Sequence, residues 1–77
     1  MIKRLDELKE GEKGIIKSFN TDSELKMRLM GLGFVKGSEI ELKKIAPLRD
    51  PIEVKIKGYN LSLRKSEARN IDIEIIE

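Results

Sequence analysis

The second half of the chain alternates apolar and polar residues with a period of two, and this pattern restricts the fold more than any other feature. Four segments show it, beginning near Ser38, Ile52, Tyr59 and Ile71. A strand with this pattern has one apolar and one polar face, as antiparallel strands do when they cover a single core. With a β-type run at Gly14–Phe19, the sequence predicts a mainly β fold: five short strands that close, or nearly close, into a small barrel.

Charges on the polar faces predict how the second and third strands pair. One alignment gives three opposite-charge pairs, namely Glu39–Lys57, Glu41–Lys55 and Lys43–Glu53. A shift of two residues sets Lys43 against Lys55 instead, and like charges across a strand pair are destabilising. The first alignment is therefore predicted, and its inward pairs are Ile40–Ile56 and Leu42–Val54. A two-residue turn at Lys57–Gly58 then leads into the next strand.

In the segment between the first and second predicted strands, the apolar residues have the spacing of a helix. Thr21 and Glu24 stand three residues apart, as in a capping box, where each side chain bonds to the other residue's free backbone N–H. Three leucines follow at positions i, i+4 and i+7 and form one apolar stripe: Leu25, Leu29 and Leu32. The helix is expected to cap an open end of the barrel with this stripe inward, and "KSEARN" predicts a short helical turn before the last strand.

Glycines mark the turns of the chain. Gly33 stands where a left-handed C-terminal cap is expected, and Gly37 and Gly58 stand where the chain turns into its next strands. Gly31 lies inside the helical segment, where the missing Cβ is expected to allow close backbone approach. Tyr59 is in phase with the apolar residues of its strand, so its ring is expected to point into the mouth of the barrel.

Composition excludes several kinds of site. The 77 residues are expected to form one domain over residues 1–77, and the chain has neither Cys nor His for a disulfide, a zinc site of the usual kind or a nucleophile–base pair. "GLGFVKG" lacks the Lys-Ser/Thr end of a phosphate-binding loop. The sequence therefore predicts no catalytic residue, no cofactor and no enzyme activity. Without a spanning apolar run or a signal peptide, a cytoplasmic location is expected.

Several of these residues stand in a familiar order. "RLMGLGFVKGSEIEL" followed by "APLRDPIEVKIKGYNLSLRKSEARNIDIE" resembles the FeoA family of small ferrous-iron-transport proteins over nearly the whole chain. The resemblance implies an SH3-like barrel with a helix inserted after the first strand. It also implies a cytosolic accessory of a membrane ferrous-iron transporter that carries a GTP-binding domain. Arg49 departs from the family pattern, which usually has glycine there, so a different turn is expected in the "PLRDP" loop.

Partner contacts are expected from residues outside the strand faces. Leu48 lies in a loop stiffened by two prolines, with Arg49 beside it, and Met27, Met30 and Phe34 surround the end of the helix. These five residues are the candidate partner-binding set, and their apolar members are expected to form a small patch. For the three around the helix, packing at the edge of the core is the alternative interpretation.

Two functions of other classes remain open. One is a small-barrel nucleic-acid-binding module, and the other is a metal-responsive regulatory domain like the SH3-like barrel of metal-dependent repressors. Nucleic-acid binding is not expected, because the chain has one Tyr and two Phe for base stacking and its strand lysines have predicted Glu partners. The chain is not expected to insert into a membrane, and a weak homo-oligomer is left open.

Metal binding is expected to be weak, because the carboxylates alternate with lysines along strand faces as solvated charge pairs do. We expect the purified protein to bind iron(II) no more tightly than scattered surface carboxylates do. Anaerobic titration calorimetry should therefore detect no stoichiometric site of micromolar affinity. A one-to-one transition in that range would contradict the prediction.

Overall fold

Six strands and two short helices follow one another in the computed structural model, which describes residues 1–76. In chain order they are β1 (Ile2–Arg4), β2 (Lys13–Phe19), α1 (Ser23–Gly31), β3 (Glu39–Ile45), β4 (Ile52–Ile56), β5 (Tyr59–Leu63), α2 (Lys65–Ala68) and β6 (Ile71–Ile75), with a 3-10 turn at Leu5–Glu7. The strands form one antiparallel sheet in the order β1-β6-β2-β3-β4-β5. The predicted mainly β class, the inserted helix and the helical turn before the last strand are confirmed.

The strand that the sequence pattern missed is β1. It has three residues, of which Ile2 alone is apolar, so no alternation can be recognised in it. Its place in the sheet comes from pairing with β6, where Ile2 lies opposite Glu74 and Arg4 lies opposite Asp72. The described chain therefore has six strands where the pattern predicted five.

The predicted pairing of β3 with β4 is confirmed near the β4–β5 turn and wrong at the other end. The confirmed pairs are Ile40–Ile56, Glu41–Lys55 and Leu42–Val54. Beyond them a β-bulge shifts the register, so that Lys44 and not Lys43 lies opposite Glu53. Lys43 instead pairs along its own strand with Glu41, at 3.5 Å between Nζ and Oε2. A bulge adds one residue to one strand, and period-two counting cannot anticipate it.

The turn between β4 and β5 has the predicted two residues. Lys57 and Gly58 both have positive φ, at 51° and 85°, which is the combination of a type I′ hairpin turn. Gly37 also has positive φ, at 92°, before the chain enters β3. These turns agree with the roles expected for Gly37 and Gly58.

The interior of the barrel is apolar throughout, since no polar or charged side chain within residues 1–76 is buried. Inward positions of the sheet supply most of the core: Ile16, Ile40, Leu42, Ile52, Val54, Ile56, Leu63, Ile71 and Ile73. The helical elements outside the sheet each add a buried residue to this core: Leu5 from the 3-10 turn, Leu29 from α1 and Ala68 from α2. Packing of these side chains holds the small helices in place.

The predicted capping box at the start of α1 is wrong by one residue. Asp22 is the N-cap, and its Oδ1 accepts a hydrogen bond of 3.0 Å from the backbone N–H of Leu25. Thr21 and Glu24 therefore do not form the reciprocal pair. Both Thr and Asp suit an N-cap, but a carboxylate is also attracted by the partial positive charge at a helix N-terminus.

α1 ends in a Schellman motif. The Gly33 N–H donates to the carbonyl oxygen of Met30 at 3.0 Å, and the Phe34 N–H donates to that of Leu29 at 3.1 Å. The motif folds Phe34 back over the helix, so that Phe34 and Leu29 are both fully buried in one core cluster. Two expectations are wrong in consequence. Leu32 is 43% exposed and does not complete the inward stripe, and Phe34 is a core residue that a partner cannot reach.

Gly33 is required for two reasons. Its φ is 108°, in the region that favours glycine, and a Cβ at this position would lie 2.7 Å from Oη of Tyr59. The Tyr59 hydroxyl donates to the carbonyl oxygen of Leu32 at 3.1 Å, so this half-exposed ring lies over the end of α1 and not inside the barrel. At Gly31 a Cβ would meet nothing within 4 Å, so the expected close backbone approach is absent there.

Replacing Gly33 with alanine should lower the free energy of unfolding by about 1–2 kcal/mol, because the new Cβ meets both an unfavourable backbone and the Tyr59 hydroxyl. Valine, which is β-branched, should cost more. Gly31→Ala is the matched control and should raise the free energy of unfolding by about 0.5–1 kcal/mol, since it lies in a helix with free space around it. Urea denaturation measures all three, and parental stability of Gly33→Ala would refute the cap.

Candidate partner-binding surface

Leu48 lies at the tip of the loop between β3 and β4, and 91% of its surface is exposed. Pro47 precedes it in a turn that is closed by the Arg49 N–H, which donates to the carbonyl oxygen of Ala46 at 2.7 Å. Across the base of the loop, the Ala46 N–H donates to the carbonyl oxygen of Pro51 at 3.1 Å. Two backbone hydrogen bonds thus close the loop on itself and hold Leu48 outward.

A carboxylate ties the same loop to the rest of the barrel. Oδ1 of Asp50 accepts a hydrogen bond of 3.0 Å from the backbone N–H of Lys65, at the start of α2. The free N–H groups at the start of a helix favour such an acceptor. The peptide bond between Asp50 and Pro51 is cis. The loop is therefore anchored both to itself and to α2.

Arg49 stands in a backbone conformation that favours glycine. Its φ is 69°, where an L side chain costs roughly 1 kcal/mol. The hydrogen bond from its N–H to Ala46 holds it there. Arginine thus occupies a left-handed position that favours glycine, and its exposed cationic side chain lies beside Leu48.

Two open grooves border the loop. Ala46 and Pro47 are among the residues that line a groove of about 220 Å³. Leu8 and Arg49 are among those that line another of about 510 Å³, between the 3-10 turn, the end of β3 and α2. A partner that contacts Leu48 can therefore also place side chains beside the loop.

A second set of exposed apolar residues lies on α1. Met27, 71% exposed, and Met30, 42% exposed, stand three residues apart on one helix face, and Leu32 follows at the helix end. Arg28 forms an ion pair with Glu67 of α2, which links the two helices. The sequence-based candidates Met27 and Met30 are thus on the surface, as Leu48 and Arg49 are.

The structure offers two surfaces where the sequence suggested one patch. The end of α1 leads into β3, and the Leu48 loop follows the other end of β3. Seven residues of strand carry the chain about 20 Å between the two. Phe34, which was expected to join the patch, is buried. Of the two surfaces, the Leu48 loop is the more exposed.

Hydrogen bonds and ion pairs lower the pKa of two carboxyl groups away from both surfaces. The backbone N–H of Lys9 donates to Glu12 at 2.7 Å, and the Lys3 ammonium lies 3.4 Å from it, so the pKa of Glu12 is below its usual value. A hydrogen bond of 2.7 Å from the N-terminal ammonium lowers the pKa of Glu74. Both groups connect β1 and its flanking residues to the sheet, which is a structural role.

Several other kinds of site find no support in residues 1–76. No three His, Cys, Asp or Glu side chains there are grouped as metal ligands would be, and neither helix is long and apolar enough to cross a bilayer. Phe34 is buried and Phe19 packs against the core, which leaves Tyr59 as the half-exposed ring, and its hydroxyl is hydrogen-bonded to α1. One such ring offers little surface on which bases could stack.

Comparison with known proteins identifies relatives of the chain. The family model of the FeoA domain matches residues 3–75. The chain is 38% identical over 73 residues to an Fe(2+) transport protein A/Fe(2+) transporter FeoB fusion protein of Porphyromonas gingivalis. That match covers 95% of this chain but only 9% of the fusion protein.

Solved structures share the fold. Iron(II) transport protein A from Clostridium thermocellum is 43% identical, with a TM-score of 0.91 over 96% of this chain and 46% of that protein. A zinc complex of FeoA from Stenotrophomonas maltophilia, described as a prokaryotic SH3 domain protein, is 28% identical, with a TM-score of 0.78 over 96% of this chain and 89% of that one. The SH3-like barrel that the resemblance implied is confirmed.

Arg49→Gly should raise the free energy of unfolding by about 0.5–1 kcal/mol. Glycine removes the cost of a left-handed L residue, and this gain exceeds the extra entropy that glycine loses on folding. Arg69→Gly is the matched control, because the φ of Arg69 is −65°, and this variant should lose about 0.5–1 kcal/mol. Chemical denaturation compares the two, and a loss of stability in both variants would show that Arg49 is not strained.

Proposed function

Because this chain belongs to the FeoA family, an accessory family of ferrous-iron transport, we propose that it docks on the cytosolic, GTP-binding part of a membrane ferrous-iron transporter and modulates it. The exposed Leu48, held in a closed and anchored loop, is the observation that carries this proposal. The protein is non-catalytic and acts in the cytoplasm by contact alone. The ferrous ion is the cargo of the transporter, and this chain does not hold it.

The relative from Porphyromonas gingivalis supports the choice of partner. In that protein a FeoA-like segment and a FeoB transporter are parts of one polypeptide. Fusion keeps two domains at a high local concentration, which suits domains that act on one another. Where the two are separate polypeptides, a contact surface must supply the same proximity, and the Leu48 loop is the surface that we propose.

The rigidity of the loop makes Leu48 an effective contact. Burial of a leucine side chain stabilises a complex by roughly 1.5–3 kcal/mol, from which the cost of ordering the loop is subtracted. Here the bonds to Ala46, Pro51 and Lys65 have already ordered it. The contact area around one loop is small, so we expect a transient complex of micromolar affinity. Met27 and Met30 on α1 form a secondary, adaptable surface for the same partner.

Leu48→Asp tests the proposal. The side chain is 91% exposed, so the variant should unfold close to the parental temperature. Loss of its burial in the complex should weaken binding to the transporter by roughly 10- to 100-fold. Binding is measured with the detergent-solubilised transporter, together with its rate of GTP hydrolysis.

Two further variants make the test specific. Ile76→Asp introduces the same charge at another exposed apolar residue, 43% exposed, and should bind as the parent does. Met27→Asp examines the surface of α1. If Leu48→Asp binds normally, the loop is outside the interface, and if Met27→Asp alone loses binding, the partner docks on α1. If Ile76→Asp loses binding as strongly as Leu48→Asp, the effect is one of charge and not of the loop.

A further inference from the structure

The strand β5 forms an edge of the sheet that no charged residue, proline or bulge protects. It pairs with β4 on one side only, and its sequence YNLSL contains no charged residue and no proline. Its pairing with β4 runs without a bulge. The other edge, β1, carries Lys3 and Arg4 within three residues. Natural sheets block their edges with charges, prolines or bulges, so β5 is the edge that stays open to another strand.

The turn before β5 determines which backbone groups face outward. A hairpin turn at Lys57–Gly58 closes with a hydrogen bond from the N–H of Tyr59 to the carbonyl oxygen of Ile56, which makes these two a hydrogen-bonded pair. Such pairs alternate along an antiparallel ladder. The N–H and C=O groups of Asn60 and Ser62 therefore point away from β4. Both residues are exposed, and within residues 1–76 no backbone hydrogen bond outside the β4–β5 ladder involves them.

We propose that β5 pairs with β5 of a second copy of this chain, antiparallel and centred on Leu61. This register sets Asn60 opposite Ser62 of the second copy, and Ser62 opposite its Asn60. Because each of these residues presents one N–H and one C=O, every outward group of the two edges obtains a partner. The five-residue strand is thus complementary to itself.

The side-chain faces of β5 also match in this register. Leu61 is partly buried against the core, and it would meet Leu61 of the second copy on the same side of the joined sheet. Tyr59, which is half exposed, would lie opposite Leu63 of that copy. On the outer side the facing residues are Asn60 and Ser62, which are uncharged. Apolar groups therefore meet apolar groups, and polar groups meet polar ones.

Charge favours a second copy as the occupant. Lys55 of β4 lies beside Asn60, and Glu53 of β4 lies beside Ser62. In the joined sheet, each row of facing residues consists of Lys55 and Asn60 of one copy, followed by Ser62 and Glu53 of the second copy. Opposite charges thus stand at the two ends of each row, and no like charges face one another among residues 59–63 of the two copies. This self-association goes beyond the proposed docking and does not depend on it.

Sedimentation velocity and NMR diffusion at increasing concentration, up to about 1 mM, test the proposal. The parent should approach twice the monomer mass, as expected for a weak dimer with a small interface. Asn60→Lys combined with Ser62→Lys sets lysine opposite lysine twice and should weaken association roughly tenfold. Asn60→Glu combined with Ser62→Glu should do the same, and an equimolar mixture of the two double variants should associate again. Urea denaturation confirms that both variants fold.

A control variant separates the edge from the effect of net charge. Glu24→Gln combined with Ser66→Lys raises the net charge by the same two units at exposed residues of the helices and should associate as the parent does. A parent that stays monomeric throughout the range would overturn the proposal. So would lysine variants that associate like the parent, a mixture that stays monomeric, or a control that loses association as strongly as the edge variant.

Discussion

A single apolar core, packed without a disulfide, supports every other feature of this protein. The chain has neither Cys nor His, and no polar side chain within residues 1–76 is buried. The sheet faces supply most of the core, and Leu5, Leu29 and Ala68 attach the 3-10 turn and the two helices to it. The polar side chains of residues 1–76 therefore lie at least partly exposed, and the loops and sheet edges are where contact with another molecule can occur.

The end of α1 shows how such a small core holds a short helix in place. The Schellman motif turns Phe34 into the interior above Leu29, and Gly33 allows both the left-handed turn and the approach of the Tyr59 ring. The hydroxyl of Tyr59 then donates a hydrogen bond to the carbonyl oxygen of Leu32, which has no partner within the helix. The first residue of β5 thus holds α1, so the helix and the open sheet edge belong to one structural unit.

The Leu48 loop, which lies outside the core, is likewise held in place by a small number of interactions. Backbone hydrogen bonds from Arg49 and Ala46 close it, and Asp50 anchors it to α2. Arg49 keeps a backbone conformation suited to glycine, which places a strained cationic residue beside the most exposed leucine of the chain. Conformational strain is retained where the surrounding bonds determine the backbone, and such positions are often functional.

Local patterns in the sequence determined the strands from β2 onward and most of the β3–β4 register, because both depend on residues that alternate with a period of two. They also determined the turns at Gly33 and Lys57–Gly58, because a turn depends on the few residues within it. Tertiary structure alone decided what depends on distant groups. β1 exists through its pairing with β6, and the bulge in β3 displaces Lys43 from Glu53. Phe34 became a core residue because the turn after α1 folds it back onto Leu29, a direction that helical spacing does not encode. The exposure of Leu48 follows likewise from bonds between loop residues and α2.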